Sequence, residues 1–114
     1  MTDSEMLELA AKAAGIDYRD DNDYWMHQGH CAFWSYNDLC TCGARWNPLT
    51  DDGDALRLAV TLGIGVQSYS GLGYSHAGIE TVKKSIVVKE LHDDGPYAAT
   101  RRAIVKAAAE FGKA

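Results

Sequence analysis

Residues 46–63, Trp-Asn-Pro-Leu-Thr-Asp-Asp-Gly-Asp-Ala-Leu-Arg-Leu-Ala-Val-Thr-Leu-Gly, constrain the fold more than any other stretch of this chain. A proline turn runs into a capped helix that a glycine then stops. Thr50 or Asp51 can serve as N-cap, and Asp54 places a carboxylate at the third helical position, approximating a capping box. Asp51, Asp52 and Asp54 lie near the positive end of the helix dipole, which explains three acids in a row of four. Leu56, Ala59 and Val60 share one face, widened by Leu58 and Leu62. Gly63 is placed to end the helix in the left-handed conformation.

Other elements follow in both directions from this helix. Thr2-x-x-Glu5 is a capping box ahead of Met6, Leu7, Ala10, Ala11 and Ala14, so residues 3–14 read as a helix that Gly15 stops. Residues 16–19 alternate and read as a short strand, and 20–23 as a polar turn. Residues 24–46 are aromatic-rich and irregular, with strand pieces near 24–27 and 31–36. Residues 64–69 alternate as a strand. Residues 70–78 read as a Gly/Ser/Tyr loop, and 82–91, with the β-branched run Ile86-Val87-Val88, as a strand pairing with 64–69 in a hairpin. Pro96 opens the last helix, Tyr97, Arg101, Ile104, Ala108 and Phe111 line one side of it, and Gly112 closes it. Helices and strands without strict alternation imply an α+β domain, with a mixed or mostly antiparallel sheet of about four strands covered by three helices.

The 114 residues fit one domain spanning 1–114, large enough to bury a core without staples. Sixteen acids against eleven Lys and Arg give a net charge of -5. That balance argues against duplex nucleic acid, whose binding rests on neutralising phosphates. No apolar run reaches membrane-spanning length, and acids stand where an export signal would carry Lys or Arg. With three cysteines and no sign of secretion, the expected compartment is the cytoplasm, with the thiols reduced.

The Trp46-Asn47-Pro48 turn with its acidic helix start, the first helix, and the Ala/Arg-rich run Tyr97-Ala98-Ala99-Thr100-Arg101-Arg102-Ala103-Ile104 resemble small accessory proteins of tailed phages and prophages, the phage ABA-sandwich domain. The resemblance covers residues 3–14, 46–63 and 97–112, about half the chain; residues 17–45 and 70–78 match no pattern of the group. It implies a three-layer α/β/α sandwich and a phage setting, and brings no catalytic residues with it. By context it also implies antagonism of host defence, for instance by sequestering a nucleotide signal.

Four constellations bear on chemistry. His27, His30, Cys31, Cys40 and Cys42 offer zinc ligands, although Cys-x-Cys is tighter than the usual knuckle spacing; the alternative is ordinary core and surface residues. The loop 70–78 would bind through Tyr74 by stacking and through Ser75 or His76 by hydrogen bonds; the alternative is a plain hairpin loop. Arg101 and Arg102 suit phosphate, but adjacent residues on a helix diverge by about 100°, and surface ion pairs with Asp93, Asp94 or Asp51 are the simpler account of them. Asp51, Asp52 and Asp54 would hold a divalent cation or do acid–base work, and capping explains them first. No nucleophile elbow or His-Glu-x-x-His is present, so the expectation is a protein that is not an enzyme.

The expected function is therefore sequestration of a small nucleotide-type ligand through Trp46, Asn47, Tyr74, Ser75, His76, Arg101 and Arg102. A homo-oligomer would deepen the pocket, and no cofactor is required, zinc aside. Direct inhibition of a host defence protein, or a zinc-stabilised accessory role, are the alternatives.

Overall fold

The computed structural model describes residues 2–15 and 46–113. Helix α1 covers Asp3–Ala14 and carries the complete capping box: the Thr2 hydroxyl accepts from the Glu5 N–H and the Glu5 carboxylate from the Thr2 N–H. Hydrogen bonding to the Glu5 carboxyl from the Thr2 backbone N–H, and next from the Thr2 side chain, holds it below its ordinary 4.5. A depressed carboxyl stabilises the fold above its unfolded-state value, and the contribution is lost as pH falls through the folded one. Glu5 should therefore titrate below 4.5 by NMR in the native protein, and Thr2→Ala, which keeps the backbone donor, should return it only part of the way to the ordinary value.

Helix α2 covers Asp52–Leu62, with Asp51 as its N-cap. Gly15 and Gly63 end the two helices at φ 75° and 71°, in the left-handed region where a side chain is strained. After Gly63 come three strands, β1 (Gly65–Tyr69), β2 (Tyr74–Glu80) and β3 (Ser85–Leu91), then a short turn of 3-10 helix and helix α3 (Pro96–Gly112). The α+β class and the antiparallel sheet are as expected, and the sheet has three strands among the described residues. The pieces expected at 16–19, 24–27 and 31–36 lie outside them.

The expected hairpin of 64–69 with 82–91 is instead a meander. β2 lies between the other two, pairing Tyr69 with Tyr74 on one side and Gly78 with Val87 on the other. The long loop shrinks to residues 70–73, closed by Leu72 and Gly73 N–H groups on the Tyr69 carbonyl. β2 is hidden in the sequence because its buried positions are small: Ser75, Ala77 and Ile79 face inward while Tyr74, His76 and Gly78 face out. Period-2 alternation is there, but an inward serine and alanine do not read as apolar.

Helix α3 packs against β2 and β3 on one side and against α1 and α2 on the other. The layer order among the described residues is sheet, α3, then α1 and α2. Enclosure explains its composition. Ala99, Ala103, Ile104, Val105, Ala107, Ala108 and Ala109 are all buried, and small side chains let three neighbours approach one helix closely. Tyr97, expected on the inner side, is exposed.

The buried face of α2 also differs from the expected one. Asp54, Ala55, Leu58 and Ala59 are buried, while Leu56 and Val60 are 64% and 73% exposed. The rotation follows from Asp54. Its carboxylate turns inward to accept the Asn47 N–H at 2.9 Å. Residues 55, 58, 59 and 62 go inward with it, and 56 and 60 swing out by helical geometry.

Candidate ligand-binding face

The sheet has two unlike faces. Ser75, Ala77, Ile79, Ile86 and Val88 turn toward α3, whereas Gln67, Tyr69, Tyr74, His76, Val87 and Lys89 stand on the opposite face. Tyr69 and Tyr74 are cross-strand partners with ring centroids 5.0 Å apart at 41°. The Lys89 ammonium lies 4.3 Å from the Tyr74 centroid, a cation–π contact. The Tyr69 hydroxyl lies 3.2 Å from His76 Nε2, and His76 Nδ1 is buried without a hydrogen-bond partner. Beside this cluster Gly65 and Gly78 are paired across β1 and β2, so no side chains fill the row and a groove of about 340 Å³ opens between Gln67, His76 and Val87. Aromatic rings, a cation and a side-chain-free notch thus share one face.

Of the expected loop residues, Tyr74 and His76 belong to this face, but as strand residues. Ser75 points the other way and is 0% exposed. Its Oγ lies 2.7 Å from Thr100 Oγ1, 2.8 Å from His92 Nε2 and 3.2 Å from Ser68 Oγ. Ser75 Oγ donates to Ser68 and Thr100 Oγ1 donates to the Pro96 carbonyl at 2.7 Å. The contact with Thr100 ties β2 to α3, and the contact with His92 ties it to the 3-10 turn before that helix.

The remaining expected ligand residues are built into the fold. Trp46 is core. Asn47 Oδ1 accepts the Leu49 N–H, and its own N–H goes to Asp54. Arg101 Nε donates to the Leu49 carbonyl at 2.8 Å and its guanidinium meets Asp52 at 2.6 Å, pinning α3 to the turn before α2. Arg102 lies 3.1 Å from Asp3 and 3.8 Å from Glu90, which also holds Lys106. Neither arginine is brought to Tyr74 or His76. Both form ion pairs, with Asp52, Asp3 and Glu90 in place of the expected Asp93, Asp94 or Asp51.

The acid cluster divides the same way. Asp51 caps α2 through the Asp54 N–H, Asp52 pairs with Arg101, and Asp54 holds Asn47 and Arg57. Among the described residues no group of three or more His, Cys, Asp and Glu could hold a metal. His27, His30, Cys31, Cys40 and Cys42 lie outside the described residues. No described helix is long and apolar enough to cross a membrane.

Sequence reasoning missed Tyr69, Lys89 and Gln67. The signal for them was strand parity: once β2 is recognised, alternation through Tyr69-to-Tyr74 and His76-to-Lys89 puts all of them on one face. No family model, curated protein or solved structure matches the chain.

Proposed function

We propose that this protein is a non-enzymatic binding module that holds a small nucleotide-type ligand on the open sheet face. The observation that carries the reading is the Tyr69–Tyr74 ring pair with Lys89 over one ring and His76 beside the other. Rings on a sheet face stack on bases, each stacking contact being worth ~1–3 kcal/mol. Lys89 supplies the charge for a phosphate, and the glycine notch leaves room beside it. A net charge of -5 favours one small anion at this spot over an extended strand. The phage resemblance supplies the setting: in a host cytoplasm such a module would sequester a nucleotide immune signal.

Titration with a panel of mononucleotides and cyclic dinucleotides, read by native mass spectrometry, tests the reading. Tyr74→Ala and Lys89→Ala should each weaken retention by at least ~10-fold, about 1.4 kcal/mol. Arg101→Ala should leave affinity unchanged and lower stability, because Arg101 holds Leu49 and Asp52. Full affinity in both face variants overturns the assignment.

A second reading, direct inhibition of a host protein, draws on Leu56 and Val60, two exposed apolar side chains one turn apart on α2. Leu56→Asp would then abolish capture of a defined host polypeptide, whereas the ligand reading expects no polypeptide at all.

A further inference from the structure

Among the described residues no strand pairs with the outer edge of β3, and the pattern of that edge is self-complementary. Beyond the ends of the β2–β3 ladder, the Thr81 N–H donates to the Lys84 carbonyl at 2.7 Å and the His92 N–H to the Gly73 carbonyl at 2.9 Å. Both pairs continue the ladder's register, so they fix which residues exchange backbone bonds. Antiparallel pairs alternate between bonded and non-bonded. Ile86, Val88 and Glu90 therefore bond to β2, while Ser85, Val87, Lys89 and Leu91 direct their N–H and C=O groups outward. β3 is an edge strand of the described sheet, seven residues long, with no proline and no break in its register. Val87 is 72% exposed at its centre. Such an edge is a template for another strand.

We infer that β3 pairs antiparallel with β3 of a second copy of this chain, Val87 opposite Val87, joining two three-stranded sheets into one of six. The side chains select this register. It sets Ile86 against Val88, Ser85 against Lys89 and Lys84 against Glu90, so apolar residues meet at the centre and opposite charges toward the ends. Centring on Val88 sets Lys89 against Val87 and Glu90 against Ile86. Centring on Lys89 or Ile86 brings Lys89 against Lys89 or Lys83 against Lys89. Registers of the other parity turn the half-buried Ile86 and Val88 to the wrong face. The chosen register also meets the backbone condition, since Val87, Ser85 and Lys89 all face outward. The two open faces then lie side by side across the two-fold axis.

The inference stands apart from the ligand reading, because mass alone tests it. Sedimentation across a concentration series should give a species of twice the 12.4 kDa chain mass. Val87→Lys, which sets like charges opposite on an exposed position, should shift it to monomer without unfolding. Val87→Pro should do the same, because the N–H it removes faces outward. Val87→Cys should oxidise to a dimer whose linked peptide joins position 87 to itself, since bonded antiparallel pairs place Cα atoms ~5.5 Å apart, within disulfide reach. A wild-type monomer at every concentration overturns the inference. So does a dimer that survives both Val87→Lys and Val87→Pro, or one in which Ser85→Cys links to itself and Val87→Cys does not.

Discussion

Asp54→Ala should destabilise the protein by about 2 kcal/mol, the range seen when a hydrogen-bonded group loses its charged acceptor. Asp54 is 4% exposed and sits in the first turn of α2. One carboxylate oxygen accepts the Asn47 N–H at 2.9 Å and the other the Arg57 guanidinium at 2.8 Å. The two bonds do not weigh equally. Arg57 keeps 39% of its side chain exposed, so solvent screens that pair and it contributes ~0.5 kcal/mol or less. The Asn47 bond joins the Trp46 turn to the helix across seven residues, and its loss strands a half-buried amide. Arg57→Ala should therefore cost under about 1 kcal/mol, and Asp54→Asn should fall between, since an amide oxygen still accepts from Asn47. Urea midpoints at constant m-value measure all three. A loss below 1 kcal/mol for Asp54→Ala would show that the turn is held by Trp46 packing instead.

That prediction separates what the sequence makes legible from what it conceals. Caps and glycine stops act within four residues, so α1, α2 and their ends are readable in place. Which face a helix buries depends on a distant partner. The apolar stripe of α2 points to Leu56 and Val60, and the Asp54–Asn47 bond turns them out. β2 is concealed for a related reason. A strand backed by an Ala-rich helix needs small inward residues, so Ser75 and Ala77 remove the hydrophobic signal that alternation relies on. The candidate site inherits this concealment. Tyr74 and His76 are visible as unusual residues in the sequence, but Tyr69 and Lys89 join them only through the strand pairing. Arg101 and Arg102 mislead in the opposite direction, because a guanidinium suited to phosphate is equally suited to Asp52, Asp3 and Glu90.

Gly112→Ala should destabilise the protein by about 2–3 kcal/mol, although helix propensity alone favours alanine by up to ~1 kcal/mol. The sequence reads Gly112 as a helix stop, but it is the last residue of α3, which Lys113 caps in ordinary right-handed backbone. Its reason lies in packing. A Cβ there would overlap the Leu9 carbonyl oxygen of α1 and touch the Ala13 methyl. Backbone cannot rotate aside as a side chain does, so α1 must move away from α3 along their shared face. That face is one of the two largest contacts in the described fold, and separating it opens space around Ala10, Ala11, Ala108 and Ala109, all buried. Leu9→Ala gives no relief, because the obstacle is main chain. Gly53 provides the contrast on α2. The nearest atoms to an added Cβ there are side-chain ends of Arg57 and Asp51, at 3.2 Å, which can give by a few tenths of an ångström where main chain cannot, although Asp51 Oδ2 also caps the Asp54 N–H. Gly53→Ala should accordingly leave stability unchanged or raise it by up to ~1 kcal/mol. Parallel thermal melts of the two alanine variants read the opposite signs directly. A neutral or stabilising shift for Gly112→Ala would mean that α1 and α3 have slack at this contact, and that close helix approach does not explain the glycine.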